Sequence, residues 1–112
     1  MAVKAAEGRW RYIAFRVEGE RTPNRGEFLS ALLAMSRRSR LGDDFRITVY
    51  DNGLGILKVP HTLKDDAIEV LRAVSQAGGT AVKVTTLKTS GTIRTLKERY
   101  RSQLGDGRAP SE

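Results

Sequence analysis

The chain has 112 residues, 39% of them apolar, enough for one modest core and too few for two. Twenty Lys and Arg against thirteen Asp and Glu leave a formal charge of +7 and a pI near 10.2, which in so small a protein points to a polyanionic partner, nucleic acid first and an anionic membrane surface second. The lack of cysteine excludes disulfides and thiolate chemistry, and the single His61 removes most zinc geometries.

The N-terminal MAVKAAEGRW has no apolar run of the kind that opens a signal peptide, so a cytoplasmic location is expected. No stretch approaches the roughly 20 apolar residues that span a bilayer, so no membrane partner is expected either. Residues 1–8 and the SQLGDGRAPSE of 102–112 read as flexible tails, leaving 9–101 as one folded domain.

In WRYIAFRVE, Ile13, Phe15 and Val17 alternate with Tyr12, Ala14 and Arg16, the period of two of a strand with one buried face. A loop marked by Gly19, Pro23 and Gly26 leads to Phe28, Leu29, Leu32, Leu33 and Met35 at helical spacing. This predicts a helix over 24–36 capped by Asn24 or Thr22. Phe45, Ile47 and Val49 alternate with Arg46, Thr48 and Tyr50 in a second strand, and Asp51-Asn52-Gly53 turns the chain into a third, GILKV. Pro60 ends that strand and Thr62 is a candidate cap. Leu63, Ala67, Val70, Leu71 and Val74 form the stripe of a second helix that Gly78 and Gly79 terminate. A Val- and Thr-rich fourth strand runs from Ala81 to about Lys88. Thr89-Ser90-Gly91 then opens a last helix with Ile93, Leu96 and Tyr100 on one side.

This order, β-α-β-β-α-β plus a helix, predicts an α+β, ferredoxin-like/RRM-like sandwich: a four-stranded antiparallel sheet, two helices on one face, and a C-terminal helix. Ile13, Phe15, Val17, Phe45, Ile47 and Val49 should meet the two helices, with Trp10, Tyr12, Arg16, Arg46 and Tyr50 on the open face. Such interleaved aromatic and basic residues fit bases stacking on rings and phosphates meeting guanidinium groups. Packing or a protein interface explains Trp10 and Tyr12 slightly better than base stacking does, and those two, with Tyr50, are left between RNA and protein. Leu54, Ile56 and Leu57 imply that part of this face is covered by the last helix or another subunit.

The last helix brings a second feature. Lys88, Thr89, Ser90, Gly91 and Thr92 lead into it, and glycine flanked by hydroxyls at the positive end of a helix makes either a phosphate seat or an ordinary cap. Arg94, Lys97 and Arg101, at spacings of three and four, form a basic stripe away from the apolar side that either follows a phosphate backbone or is a solvated face. No catalytic constellation accompanies these residues. His61 reads as a turn or surface residue, and turn chemistry accounts for Asp43, Asp44 and Asp51 better than a metal does.

Gly-Thr-Ile-Arg-Thr at 91–95, following a strand and opening a basic helix, resembles the protein component 2 family of archaeal ribonuclease P and its eukaryotic relatives, as does RYIAFRV at 11–17. The likeness extends over residues 9–101. It implies a non-catalytic subunit of the ribonucleoprotein that removes the 5′ leader of precursor tRNA. In that family magnesium serves the RNA subunit, the chain itself holds no cofactor, and the partners are ribonuclease P RNA, protein component 3 and a second copy of the chain. Lys88 to Thr92, Arg94, Lys97 and Arg101 would then touch RNA, with Arg16 and Arg46 in support. Two rivals remain: a stand-alone RRM-like or ribosomal-type RNA-binding protein, and an acylphosphatase-like enzyme using Arg21 and Arg25 in the loop after the first strand.

Overall fold

A computed structural model describes residues 10–100; Arg101 and the segments expected as tails lie outside them. Strand β1 (Trp10–Gly19) is followed by helix α1 (Arg25–Ser36). Asn24 is the cap of α1: its side chain accepts the Glu27 backbone N–H at 2.8 Å while the Glu27 carboxylate accepts the Asn24 N–H at 2.9 Å, a reciprocal box that satisfies two otherwise unpaired donors. Strands β2 (Arg46–Asp51) and β3 (Leu54–Pro60) form the expected hairpin. Asn52 and Gly53 turn it with φ of 53° and 89°, conformations that asparagine and glycine tolerate best.

A 3₁₀ turn, His61–Leu63, absorbs Thr62, so the expected hydroxyl cap does not form on α2 (Lys64–Ala73). Asp65 and Asp66 occupy the first turn of α2, where the helix dipole favours them. The helix ends at Ala73, before the two glycines expected to stop it. Gly78 and Gly79, both at positive φ, instead turn a small hairpin between β4 (Gln76–Ala77) and β5 (Thr80–Ser90). The sheet therefore has five strands in the order β2-β3-β1-β5-β4, every neighbouring pair antiparallel. Helix α3 (Ile93–Arg99) completes the α+β, ferredoxin-like fold.

The principal core lies between the sheet and helices α1 and α2, where Ile13, Phe15, Ile47 and Leu57 meet Phe28, Leu32, Ala67 and Leu71. A smaller core lies on the opposite face, where Leu96 of α3 covers Ala14 and Ile56. Of the two covers expected for the apolar part of the open face, the last helix supplies one, over Ile56, whereas Leu57, expected on that face, belongs to the principal core because it alternates with Ile56 along β3.

Two register shifts redirect side chains. In β2, Ile47 pairs with Leu57 but Val49 pairs with Ile56, so Thr48 is an extra residue. Its hydroxyl donates to the Ile56 carbonyl at 3.1 Å. A single-residue bulge exchanges the faces of everything beyond it. Val49, expected among the helices, packs against the α3 cluster, and Tyr50, expected on the open face, packs into the principal core. In β5, Leu87 falls between the pairs Phe15–Thr86 and Ala14–Lys88, which leaves it the exposed large apolar side chain among the described residues.

Candidate nucleic-acid interface

Strand register assembles the α3 face in rows. Arg46, Lys58, Tyr12 and Ser90 stand abreast across β2, β3, β1 and β5. The next row is Val49, Ile56, Ala14 and Lys88, and the third is Asp51, Leu54, Arg16 and Thr85. The apolar middle of the second row is where α3 docks: Leu96 is fully buried there, with Ile93, Tyr12 and Tyr100 packed around it. Ile93, Leu96 and Tyr100 are the side of the helix expected to be apolar, so Arg94 and Lys97 are turned outward and exposed. The result is a sheet face with cations on the rim and an apolar centre sealed by a helix that carries more cations.

The segment expected as the helix entry is half strand. Thr89 pairs with Ile13 and Ser90 with Tyr12, so Thr89 belongs to the α1/α2 face while Lys88 and Ser90 belong to the α3 face. Thr92 caps α3 by position without a side-chain bond to the helix amides. Its N–H donates instead to the Ser90 hydroxyl at 3.2 Å, and its own hydroxyl lies 2.8 Å from that of Thr95. The Ser90 hydroxyl thus holds the Thr92 amide and the Thr92 and Thr95 hydroxyls hold each other, and an anion near them would meet the cations of the face. Gly91 is exposed and outside the positive-φ region, and a Cβ there would find only an Arg11 Nη1 at 3.9 Å. The backbone does not require glycine at this position.

Beside the start of α3 the face opens into a cleft of about 450 Å³ lined by Trp10, Tyr12, Asp44, Arg46, Lys58 and Ile93 among others. The Lys58 ammonium lies 4.5 Å from the centre of the Trp10 ring, a cation–π contact. Trp10 and Tyr12 thus share a wall with two cations. Lys58 was not anticipated, although alternation with the buried Leu57 and Val59 directs it outward. Asp44, in the loop before β2, carried no periodic signal.

Tyr50 has no place in this site. Its ring stacks on Phe28 with centroids 5.7 Å apart, and its hydroxyl donates to the Pro23 carbonyl at 2.6 Å. Burial, with a smaller contribution from the Glu27 charge, raises the phenol above the usual tyrosine range. The two arginines after β1 are engaged as well. Arg21 holds the Glu27 carboxylate at 3.2 and 3.3 Å and the Gly78 carbonyl at 2.7 Å, and Arg25 donates to the Ile47 carbonyl. The Asn24 N–H first, and then the Arg21 guanidinium, hold the Glu27 carboxyl below its ordinary range. Among the described residues no group of three or more His, Cys, Asp or Glu comes together to hold a metal ion, and no helix is long and apolar enough to cross a membrane.

Comparison with known proteins shows what the chain as a whole is similar to. The sequence pattern of the Rpp14/Pop5 family matches residues 11–101. Ribonuclease P protein component 2 of Aeropyrum pernix is 32% identical over 110 residues, covering 89% of each chain. The protein of the same name from Methanosarcina mazei is 28% identical over 101 residues, covering 85% of this chain and 86% of its own length. A chain in the structure of yeast ribonuclease MRP shares the fold, with a TM-score of 0.62 at 14% identity over 85% of this chain and 93% of that one.

Proposed function

The chain belongs to the Rpp14/Pop5 family, and from that premise we propose that it is a non-catalytic protein subunit of ribonuclease P that binds and stabilises the catalytic RNA during removal of the 5′ leader of precursor tRNA. The observation that carries this reading is the gathering of Arg16, Arg46, Lys88, Arg94 and Lys97 on one face, two of them on a helix whose apolar side is buried against the sheet. Phosphates bound there release condensed counterions, and guanidinium and ammonium groups make such contacts without competing for the metal ions an RNA active site collects. Magnesium on this reading is held by the RNA. Ser90, Gly91 and Thr92 lie beside the same cations and join the contact, whereas Thr89 faces away from it.

Two features weigh against the rivals. An RNA-recognition motif offers bases the centre of its sheet, but here that centre is Ala14 and Ile56 under Leu96. A phosphate cradle after β1 would need Arg21 and Arg25, and both already hold groups of the chain itself. Surfaces for protein component 3 and for a second copy belong to the proposal and are sought outside the cationic rows. The chain acts, on this reading, in the cytoplasm of an archaeal cell.

Reconstitution of precursor tRNA cleavage from ribonuclease P RNA and the partner proteins, with and without this chain, tests the proposal. Addition is expected to raise activity and lower the magnesium required. Indifference to the chain at every magnesium concentration would sink it.

A further inference from the structure

The cleft beside α3 has a chemistry that phosphate binding alone leaves unused. A surface that only follows a backbone needs cations; this one adds two aromatic rings and a carboxylate. Trp10 and Tyr12 lie two residues apart on the same face of β1, which sets their Cα atoms about 6.8 Å apart, and both rings line the cleft. The Lys58 ammonium fixes the indole from one side. Arg46 stands abreast of Lys58 and Tyr12, and Asp44 lies on the wall of the same cleft. The volume, about 450 Å³, falls within the roughly 300–1,000 Å³ typical of small-ligand sites.

We infer that this cleft takes a single unstacked nucleobase of a bound RNA strand, with the base against Trp10 and Tyr12, its phosphate on Arg46 and Lys58, and Asp44 reading its edge. A carboxylate accepts hydrogen bonds and donates none, so it favours a base that carries an exocyclic amine and disfavours uracil, whose single N–H donor is flanked by two carbonyls that repel it. Base–aromatic stacking by itself tolerates every base, which leaves Asp44 as the source of the preference. The cleft therefore confers base selectivity on a face whose other contacts are with phosphate. An apolar protein side chain in the same place would leave the paired cations without an anion.

The assignment rests on the reading of the chain as an RNA-binding subunit, and the two can fail separately. Trp10 is the sole tryptophan of the sequence, so tryptophan fluorescence of the full chain, excited at wavelengths that tyrosine does not absorb, reports on this cleft. The probes are short single-stranded RNA oligomers of adenine, cytosine or uracil, and an abasic oligomer of equal charge. Adenine and cytosine oligomers are expected to quench Trp10 at severalfold lower concentration than uracil, and the abasic oligomer to leave it unquenched. Asp44→Asn is expected to remove the preference while keeping the quenching. Tyr12→Ala is expected to weaken quenching at least about fivefold, the lower end of the loss of one base–aromatic stack. Because Tyr12 also packs against α3, Arg46→Ala is the second variant, expected to weaken every oligomer through its phosphate.

Equal quenching by the abasic oligomer, or a base order untouched by Asp44→Asn, overturns the inference. So does a Trp10 signal that shifts with protein concentration and ignores oligomers, which would put a second copy on the cleft. If no oligomer quenches yet the chain still activates reconstituted ribonuclease P, the cleft assignment falls and the subunit reading stands; base-dependent quenching without activation gives the reverse.

Discussion

Replacing Tyr50 separates two roles that a strand pattern leaves entangled. In the structure its ring stacks on Phe28 and its hydroxyl reaches the Pro23 carbonyl at 2.6 Å, so Tyr50→Phe removes one partly buried hydrogen bond, a loss of about 1 kcal/mol. Tyr50→Ala also removes the ring. Because Tyr50 is only partly buried, its cost falls at the low end of aromatic truncations, about 3 kcal/mol. With a urea dependence of about 1.5 kcal/mol per molar for a small domain, the unfolding midpoints should fall by about 0.7 M and about 2 M. RNA affinity of the folded variants, and its salt dependence, should match the unaltered chain. The phenol adds a pH signature. Its folded pKa lies above the unfolded one, so its stabilising contribution is complete below about pH 10 and is lost as pH rises through the folded value; Tyr50→Phe should lack that alkaline decline. A Tyr50→Ala chain with an unaltered midpoint and impaired RNA binding would refute the face exchange at Thr48 and return the ring to the RNA surface.

Arg94→Ala and Lys97→Ala should each flatten the dependence of log affinity on log salt by about 0.7 to 0.9, the contribution of one neutralised phosphate; an unchanged slope makes them solvated surface. Gly91→Ala should leave stability within about 0.5 kcal/mol, since nothing in the chain opposes a Cβ there, yet lower RNA affinity severalfold by holding the backbone off a phosphate. Unaltered affinity would mean that the glycine serves only the turn. Leu96→Ala, at a fully buried position, should abolish hydrogen-exchange protection in residues 93–99 while the β1 amides keep theirs; retained protection would show that α3 does not depend on this anchor. Glu27, whose folded pKa is depressed, contributes stability above about pH 4 that is lost as pH falls through its folded value. Glu27→Gln should be less stable at neutral pH and show a shallower acid transition by circular dichroism.

The elements with long, regular patterns were legible in the sequence. Alternation in 13–17 and helical spacing in 28–35 reflect burial on one side only, and burial leaves a mark on composition. What was not legible depends on single residues. FRITVYD alternates equally well whichever set faces the helices, with Phe45, Ile47 and Val49 on one side or Thr48 and Tyr50 on the other. One extra residue at Thr48 makes both sets half right. The pairing of β4, two residues long, is too short to have a period. The turn glycines were visible as punctuation, but whether they close a helix or open a hairpin depends on where Ala77 finds its partner, a tertiary matter.

The site shows the same division, with one useful exception. Arg94 and Lys97 were recognisable as one side of a helix, but periodicity alone cannot say whether that side meets a partner or only water. The strip Ala14–Ile56 decides its direction: it is the apolar gap in the α3 face, and Leu96 with its neighbours is the only apolar side that a seven-residue α3 can offer to it. Docking that side turns the cations outward beside Lys88, which the bulge at Leu87 has moved into the Ala14 row. In a regular ladder without the bulge, Leu87 would stand opposite Ala14 and Lys88 would turn to the opposite face, breaking the cationic rows without changing a single charge, so the shape of the strand, as much as the count of basic residues, determines what this face can bind.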